Sequence, residues 1–222
     1  MSNVVLSQPA APVRAALTLA IAIGAWFFVI LAASLAGVFA TPPGSVPWPI
    51  LIALTLPPIL FGGLYRSSPV YRALILGADL RPLILLHTFR TLGLGFLLLA
   101  AYDILPLVFA IPAGVGDTIV AVGAFVLALS LYSPAGALRR AVMAWNAFGV
   151  ADFAIAVITA VLARTGGPLH FAGGVPSDTI GTFPLVLIPA FFVPLYLITH
   201  AIVFLQLRVR WPAAERVRLE RA

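Results

Sequence analysis

A few polar side chains lie inside long apolar segments, and they are the residues of this sequence whose types could do chemistry. Arg90, Asp117, Asn146 and Asp152 each fall within a stretch of mainly hydrophobic residues. An ionisable group in hydrocarbon is costly, so each of them needs a partner or a hydrated cavity. We therefore expect these four residues to form a polar pocket that binds a small solute or protons.

The depths of these residues can be compared by counting about 1.5 Å of rise per residue from the arginines that flank the segments. By this count Arg90 lies about 13 Å deep and Asp152 about 18 Å deep, which predicts an ion pair between them. Asp117 lies farther out, about 22 Å from the end of its segment at Tyr132. The count places the pocket in the cytoplasmic half of the membrane.

Two histidines lie at similar depth on different segments. His87 and His200 are about 9 and 12 Å from their flanking arginines. The spacing i, i+3, i+4 puts His87, Arg90 and Thr91 on one face of an α-helix. Two neutral imidazoles on facing helices can ligate a metal or a b-type haem, with Arg90 near a propionate. Haem b is therefore the cofactor that this pattern allows.

The segment that contains Asp117 is interrupted by turn-forming residues. Pro106, Pro112, Gly114 and Gly116 precede the aspartate, which predicts a broken helix whose second part begins near Asp117. A carboxylate at that position can cap free N–H groups. It can also line a binding site, as discontinuous helices do in transporters.

Several interpretations of the buried polar residues are open at this point. They can line a path for a small solute or protons, hold a haem or metal, or belong to a subunit that scaffolds a homo- or hetero-oligomeric membrane complex. They can also be purely structural, as a buried polar network that fixes the register of the helices against one another. An enzyme acting on a lipid has no motif to support it, because paired carboxylates with metal-ligand spacing are absent and the only glutamates are Glu215 and Glu220 near the C-terminus.

The composition excludes a water-soluble fold. Of 222 residues, 62% are hydrophobic and 9% are charged, whereas a soluble domain has about a quarter of its residues charged. The chain has no cysteine and no lysine, which excludes disulfides, thiolate metal sites and Schiff-base chemistry. The net charge of +6 does not indicate a nucleic-acid partner, because the arginines fall between the apolar segments rather than in one patch.

Six apolar segments are long enough to cross a hydrocarbon core of about 30 Å, which takes about 20 helical residues. They predict an all-α, polytopic transmembrane bundle whose surface is covered by the lipid bilayer. We divide the chain into a short N-terminal segment (1–12), a six-helix transmembrane domain (13–207) and a basic tail (208–222). The predicted spans are residues 15–39, 47–65, 82–102, 113–132, 141–163 and 181–207.

The arginines predict the orientation of the bundle. With the N-terminus inside, eleven of the thirteen arginines are cytoplasmic, Arg164 is outside and Arg90 is within a span. Lys and Arg are retained on the cytoplasmic side of short loops. The bias predicts a multi-pass protein of a bacterial inner membrane with both termini in the cytoplasm.

Short motifs give the chain a resemblance to a known group of proteins. They are FRxxG at 89–93, IPAGVGD at 111–117, WN at 145–146 and LVLIP at 185–189. Over roughly residues 82–205 the chain resembles a family of small multi-spanning bacterial inner-membrane proteins that have no known activity. The resemblance implies no reaction, but its motifs contain Arg90, Asp117 and Asn146.

Part of one of these motifs recurs later in the chain. The pattern GVGDxxVAV at 114–122 recurs as GVADxxIAV at 149–157, on adjacent spans that run in opposite directions. The recurrence is either a relic of an inverted repeat or a coincidence in a chain rich in Gly, Ala and Val, whose small residues also serve close helix packing.

Overall fold

A computed structural model of the protein describes residues 13–130 and 136–209, with side chains for 17–130 and 138–209. Within these ranges every regular element is helical. Six helices there are long and apolar enough to cross a membrane, so the predicted all-α fold with six spans is confirmed. The predicted N-terminal segment (1–12) and all but two residues of the predicted tail lie outside the described residues.

The elements follow one another as an up-and-down bundle. We call Leu80–Ala101 the third span, because α4, a 3₁₀ segment and α5 join into one long helix, and Ile188–Val209 the sixth span, because a π segment joins α8. The elements are α1 (Val13–Leu35), α2 (Trp48–Ser67), α3 (Pro69–Gly77), α4 (Leu80–Leu85), the 3₁₀ segment (Leu86–Gly93), α5 (Leu94–Ala101), α6 (Leu107–Ser130), α7 (Gly136–Leu162), a short 3₁₀ turn (Ser177–Gly181), the π segment (Ile188–Phe192) and α8 (Val193–Val209).

Side-chain caps start the two short helices between the second and third spans. The Ser68 hydroxyl accepts a hydrogen bond from the Tyr71 N–H at 3.2 Å and so caps α3. The Asp79 carboxylate accepts one from the Arg81 N–H at 2.9 Å and caps α4. Capping residues of this kind satisfy N–H groups that a helix leaves free at its start. They therefore fix where the third span begins.

The prediction of a broken helix before Asp117 is wrong. The fourth span, α6, runs without interruption from Leu107 through Pro112. The chain breaks earlier, at residues 102–106, where Asp103 has a φ of 54°. Pro112 lies in the second turn of the helix, so its missing N–H removes a hydrogen bond only near the helix start. Asp117 consequently lies in the body of a continuous helix and does not cap one.

The third span contains a 3₁₀ segment that changes which side chains share a face. A 3₁₀ helix has three residues per turn, so His87, Arg90 and Gly93 lie above one another, and all three are buried. The prediction that Thr91 shares their face is wrong, because that prediction assumed α-helical spacing. Thr91 is exposed, and its hydroxyl donates to the Thr88 carbonyl at 2.9 Å.

The sixth span begins later than predicted. Residues 182–186 form a bend and turns, in which the Val186 N–H donates to the Thr182 carbonyl at 2.9 Å. The π segment then carries Phe191, whose ring packs against Trp26 and Phe27 of α1 at centroid distances of 4.6 and 5.0 Å. The first span therefore packs at the edge of the bundle, against this segment.

Fully buried apolar side chains fill the half of the bundle that ends at Arg139 and Arg208. They come from four spans and leave no exposed surface on their side chains. They are Ile84, Val120, Val142, Val203 and Leu207. Among the described residues, this half of the bundle is therefore closely packed.

Candidate functional site

Arg90 joins two other spans through ion pairs. Its Nε donates to Asp117 Oδ1 of α6 at 2.6 Å, and its Nη2 donates to Asp152 Oδ2 of α7. The Arg90 side chain is only 1% exposed, and its guanidinium lies 3.7 Å from the centre of the Phe153 ring. The structure thus contains the predicted pair with Asp152 and adds Asp117. We call these three residues the Arg90 cluster.

The depth count from the sequence separated Asp117 from Arg90, although their side chains are in contact. The count took the arginines at the ends of the spans as lying in one plane. It also used the α-helical rise throughout, whereas a 3₁₀ segment rises about 2.0 Å per residue. Spans of unequal length and helix type therefore bring Asp117 level with Arg90.

The Nη1 group of the guanidinium connects Arg90 to the remaining polar residues. Its Nη1 lies 3.5 Å from the Gly149 carbonyl oxygen and 3.3 Å from His200 Nε2. Arginine has no acceptor, so His200 Nε2 is the acceptor and the ring proton lies on Nδ1. That N–H donates to Asn146 Oδ1 at 2.8 Å. His200 is thus held as a neutral imidazole between Arg90 and Asn146.

His87 belongs to the same network through the sixth span. The Thr199 hydroxyl donates to the Tyr196 carbonyl at 2.8 Å, and so the His87 Nε2–H donates to the Thr199 oxygen at 2.9 Å. Trp145 packs against His87 with ring centroids 5.1 Å apart, and its Nε1–H donates to the Val120 carbonyl at 2.9 Å. All of these side chains are buried.

This arrangement does not fit the haem or metal alternative. The rings of His87 and His200 contact each other directly, with centroids 4.2 Å apart, so no porphyrin can lie between them. His200 Nε2 also faces the Arg90 cation rather than a space for a metal. Among the described residues, no group of three or more His, Cys, Asp or Glu side chains is placed to hold a metal ion.

Glycines make room for the polar side chains, and the sequence analysis assigned them no such role. A Cβ at Gly93 would lie 2.5 Å from the Cβ of Asp117. One at Gly149 would lie 2.5 Å from His200 Cε1, and one at Gly116 would overlap the Asp152 carboxylate. Gly116 and Gly149 belong to the repeated GVGD and GVAD pattern, and Gly93 ends the FRxxG motif. The two aspartates of the repeated pattern bind the same arginine.

A cavity of about 520 Å³ adjoins the Arg90 cluster. Arg90, Asp117 and Asp152 line its deep end, and most of the other lining side chains are apolar. Phe89 and Leu92 also line it and are 62% and 79% exposed, so the cavity opens at the outer surface of the bundle. Its apolar walls include Leu54, Phe96, Phe109, Val157 and Val193.

Of the four residues predicted to form the pocket, Arg90, Asp117 and Asp152 line the cavity and Asn146 does not. Asn146, His87 and His200 are on the closely packed side of the cluster, and the cavity extends the other way, toward Arg164 and Ser177. From the Arg90 cluster the cavity thus extends away from the end of the bundle that Arg139 and Arg208 mark. Depth along a span does not reveal on which side of a polar residue the helices separate.

A second buried arginine lies at the far end of the cavity, and the sequence analysis gave it no role in a site. Arg164 is 7% exposed, its Nη2 donates to Thr41 Oγ1 at 2.8 Å, and it pairs with Asp178 at 3.0 Å. Asp178 also accepts a hydrogen bond from the Thr165 N–H at 2.7 Å. These contacts tie the loop after α1 to the loop after α7. The signal in the sequence was Arg164 itself, the one arginine that the predicted topology places outside.

The comparisons with known proteins give a family but no activity. A family model described as Domain of unknown function (DUF8737) matches residues 47–208. No curated protein and no solved structure matches the chain. The matched range begins at the second span and contains the Arg90 cluster, both histidines and the cavity, while α1 lies outside it. The chain belongs to the family of this domain, DUF8737.

Proposed function

We propose that the protein binds a small, largely apolar molecule inside the membrane, in the cavity beside the Arg90 cluster. The observation that carries this proposal is the cavity itself. Its volume of about 520 Å³ lies within the range of about 300–1,000 Å³ that is typical of small-molecule sites. Such sites have mostly apolar walls and a few polar groups that orient the ligand, which is the composition of this lining.

The opening of the cavity favours a ligand that is dissolved in the bilayer. Phe89 and Leu92, on the 3₁₀ segment of the third span, line the opening and are exposed on the surface of the bundle. In a multi-pass membrane protein this surface faces lipid. A molecule in the membrane can therefore enter from the side, without crossing water.

Binding fits this conformation better than translocation of a solute or protons. The cavity ends at the Arg90 cluster, and fully buried side chains such as Ile84, Val142 and Val203 fill the bundle beyond it. Passage would require these packed helices to separate. A purely structural polar network explains the ion pairs, but it does not explain the cavity next to them.

The proposed setting is a bacterial inner membrane, with both termini in the cytoplasm. Arg164 lies at one end of the bundle, and the other described arginines outside the bundle core lie at the opposite end: Arg66, Arg72, Arg81, Arg139, Arg140 and Arg208. Basic residues mark the cytoplasmic side of short loops. In this orientation the cavity lies in the outer half of the membrane.

Photolabelling tests the proposal. The full chain is reconstituted in phospholipid nanodiscs and exposed to hexadecanol that carries a diazirine in its chain. After illumination, mass spectrometry maps the labelled peptides with and without excess unlabelled hexadecanol. Labelling that competes should fall on α6 and α7 near Phe109 and Val157, which line the cavity.

A matched pair of variants on one helix controls for non-specific contact with lipid. Ala156 lines the cavity, whereas Ala154 is exposed and does not line it. Ala156→Phe should remove the competed labelling, and Ala154→Phe should leave it unchanged. If unlabelled hexadecanol does not compete for any labelled site in the wild-type protein, the proposed binding function is wrong.

A further inference from the structure

We infer that the ligand is an amphiphile whose polar group is a cationic amine, held by the carboxylates of Asp117 and Asp152. This inference rests on the proposed binding function and adds the chemical class of the ligand. It follows from the charge of the Arg90 cluster, from the atoms that the cluster leaves free, and from the apolar character of the remaining walls.

With both carboxylates ionised, the cluster carries one negative charge more than Arg90 can balance. Arg90 carries one permanent positive charge, and it pairs with both Asp117 and Asp152. His200 is neutral in its hydrogen bonds, and Arg164 at the other end of the cavity pairs with Asp178. An uncompensated charge in an apolar interior is costly. A ligand cation at the deep end of the cavity would balance it.

Two carboxylate oxygens at this end have no hydrogen-bond donor from the described part of the protein. Arg90 directs its Nε, Nη1 and Nη2 groups at acceptors within the protein. Asp117 Oδ2 and Asp152 Oδ1 accept no hydrogen bond within the part of the chain that the structure describes, and they lie against Gly93 and Gly116, where a Cβ would clash with them. Both aspartates line the cavity. A ligand that reaches them must donate hydrogen bonds, and an ammonium group has three N–H donors.

The surroundings of the carboxylates suit an amine with an apolar chain. Tyr196 also lines the cavity, and its ring packs against Phe153 and His87. Beyond this point the walls are hydrocarbon from α2, α6, α7 and the sixth span. An anionic group at the same place would face two carboxylates, so a fatty acid should bind more weakly than an alcohol of equal length.

Three probes with the same chain test the inference. Hexadecylamine, hexadecanol and hexadecanoate each carry the diazirine at the same carbon, and competition curves in nanodiscs give their relative affinities for the wild-type protein. We expect the amine to bind at least about tenfold more tightly than the alcohol, equivalent to about 1.4 kcal/mol. The carboxylate should bind most weakly.

Variants separate the carboxylates from a general effect of amines on the membrane. Asp117→Asn and Asp152→Asn keep the size of each side chain and remove its charge, so either change should reduce the preference for the amine while the alcohol still labels the cavity. Equal affinities of the amine and the alcohol for the wild-type protein would overturn the amine assignment and leave the binding cavity intact. Competed labelling by none of the three probes would overturn the proposed function itself. If neither variant folds, the comparison of probes on the wild-type protein decides the matter.

Discussion

Replacement of Arg90 by alanine should destabilise the bundle severely, because it leaves two buried carboxylates without their cation. Arg90 is the ion-pair partner of both Asp117 and Asp152, whose side chains are only 15% and 6% exposed. Removing one partner of a buried ion pair costs about 3–5 kcal/mol. Since two pairs are lost together, the free energy of unfolding should fall by at least this amount.

The same reasoning predicts which further substitutions restore stability. Arg90→Leu combined with Asp152→Leu still leaves Asp117 buried without a cation, so this double variant should remain unstable. Combining Arg90→Leu with Asp117→Asn and Asp152→Asn removes every charge of the cluster and keeps the shape of both acidic side chains. The triple variant should therefore recover a large part of the lost stability.

Unfolding by sodium dodecyl sulfate, followed by circular dichroism in detergent micelles, measures these differences. Arg140→Ala is the control, because Arg140 is exposed and substitutions at such positions change stability by about 0.5 kcal/mol or less. If Arg90→Ala unfolds at the same detergent fraction as Arg140→Ala, the ion pairs do not hold the bundle together and the reasoning is refuted.

Three further predictions concern packing and topology. Gly149→Ala places a Cβ 2.5 Å from His200 Cε1 and should cost about 1–3 kcal/mol, whereas Gly95→Ala meets nothing within 4 Å and should not lower the thermal denaturation temperature. Trp145→Phe removes the hydrogen bond to the Val120 carbonyl and should cost at least about 1 kcal/mol in the unfolding experiment; an unchanged midpoint would show that this bond adds nothing. Reporter fusions after Ser45 and after Pro69 should be found outside and inside the cell, respectively, and the reverse result would contradict the orientation.

The sequence by itself determined the fold class and the identity of the polar residues. A helix needs about 20 apolar residues to cross a membrane, and a charged residue in such a helix needs a partner. Both rules act along the chain and can be applied without coordinates. They were enough for six spans and for the pairing of Arg90 with Asp152.

Only the tertiary structure decided how the spans are rotated and where they separate. The 3₁₀ segment removed Thr91 from the buried face and brought Arg90 level with Asp117, while α6 continued through Pro112. In the same packing the rings of His87 and His200 are in contact, and the cavity lies on the other side of the Arg90 cluster. Such features depend on helix type and on contacts between side chains from different spans, because a sequence pattern fixes the spacing of residues along one helix but not its rotation against its neighbours.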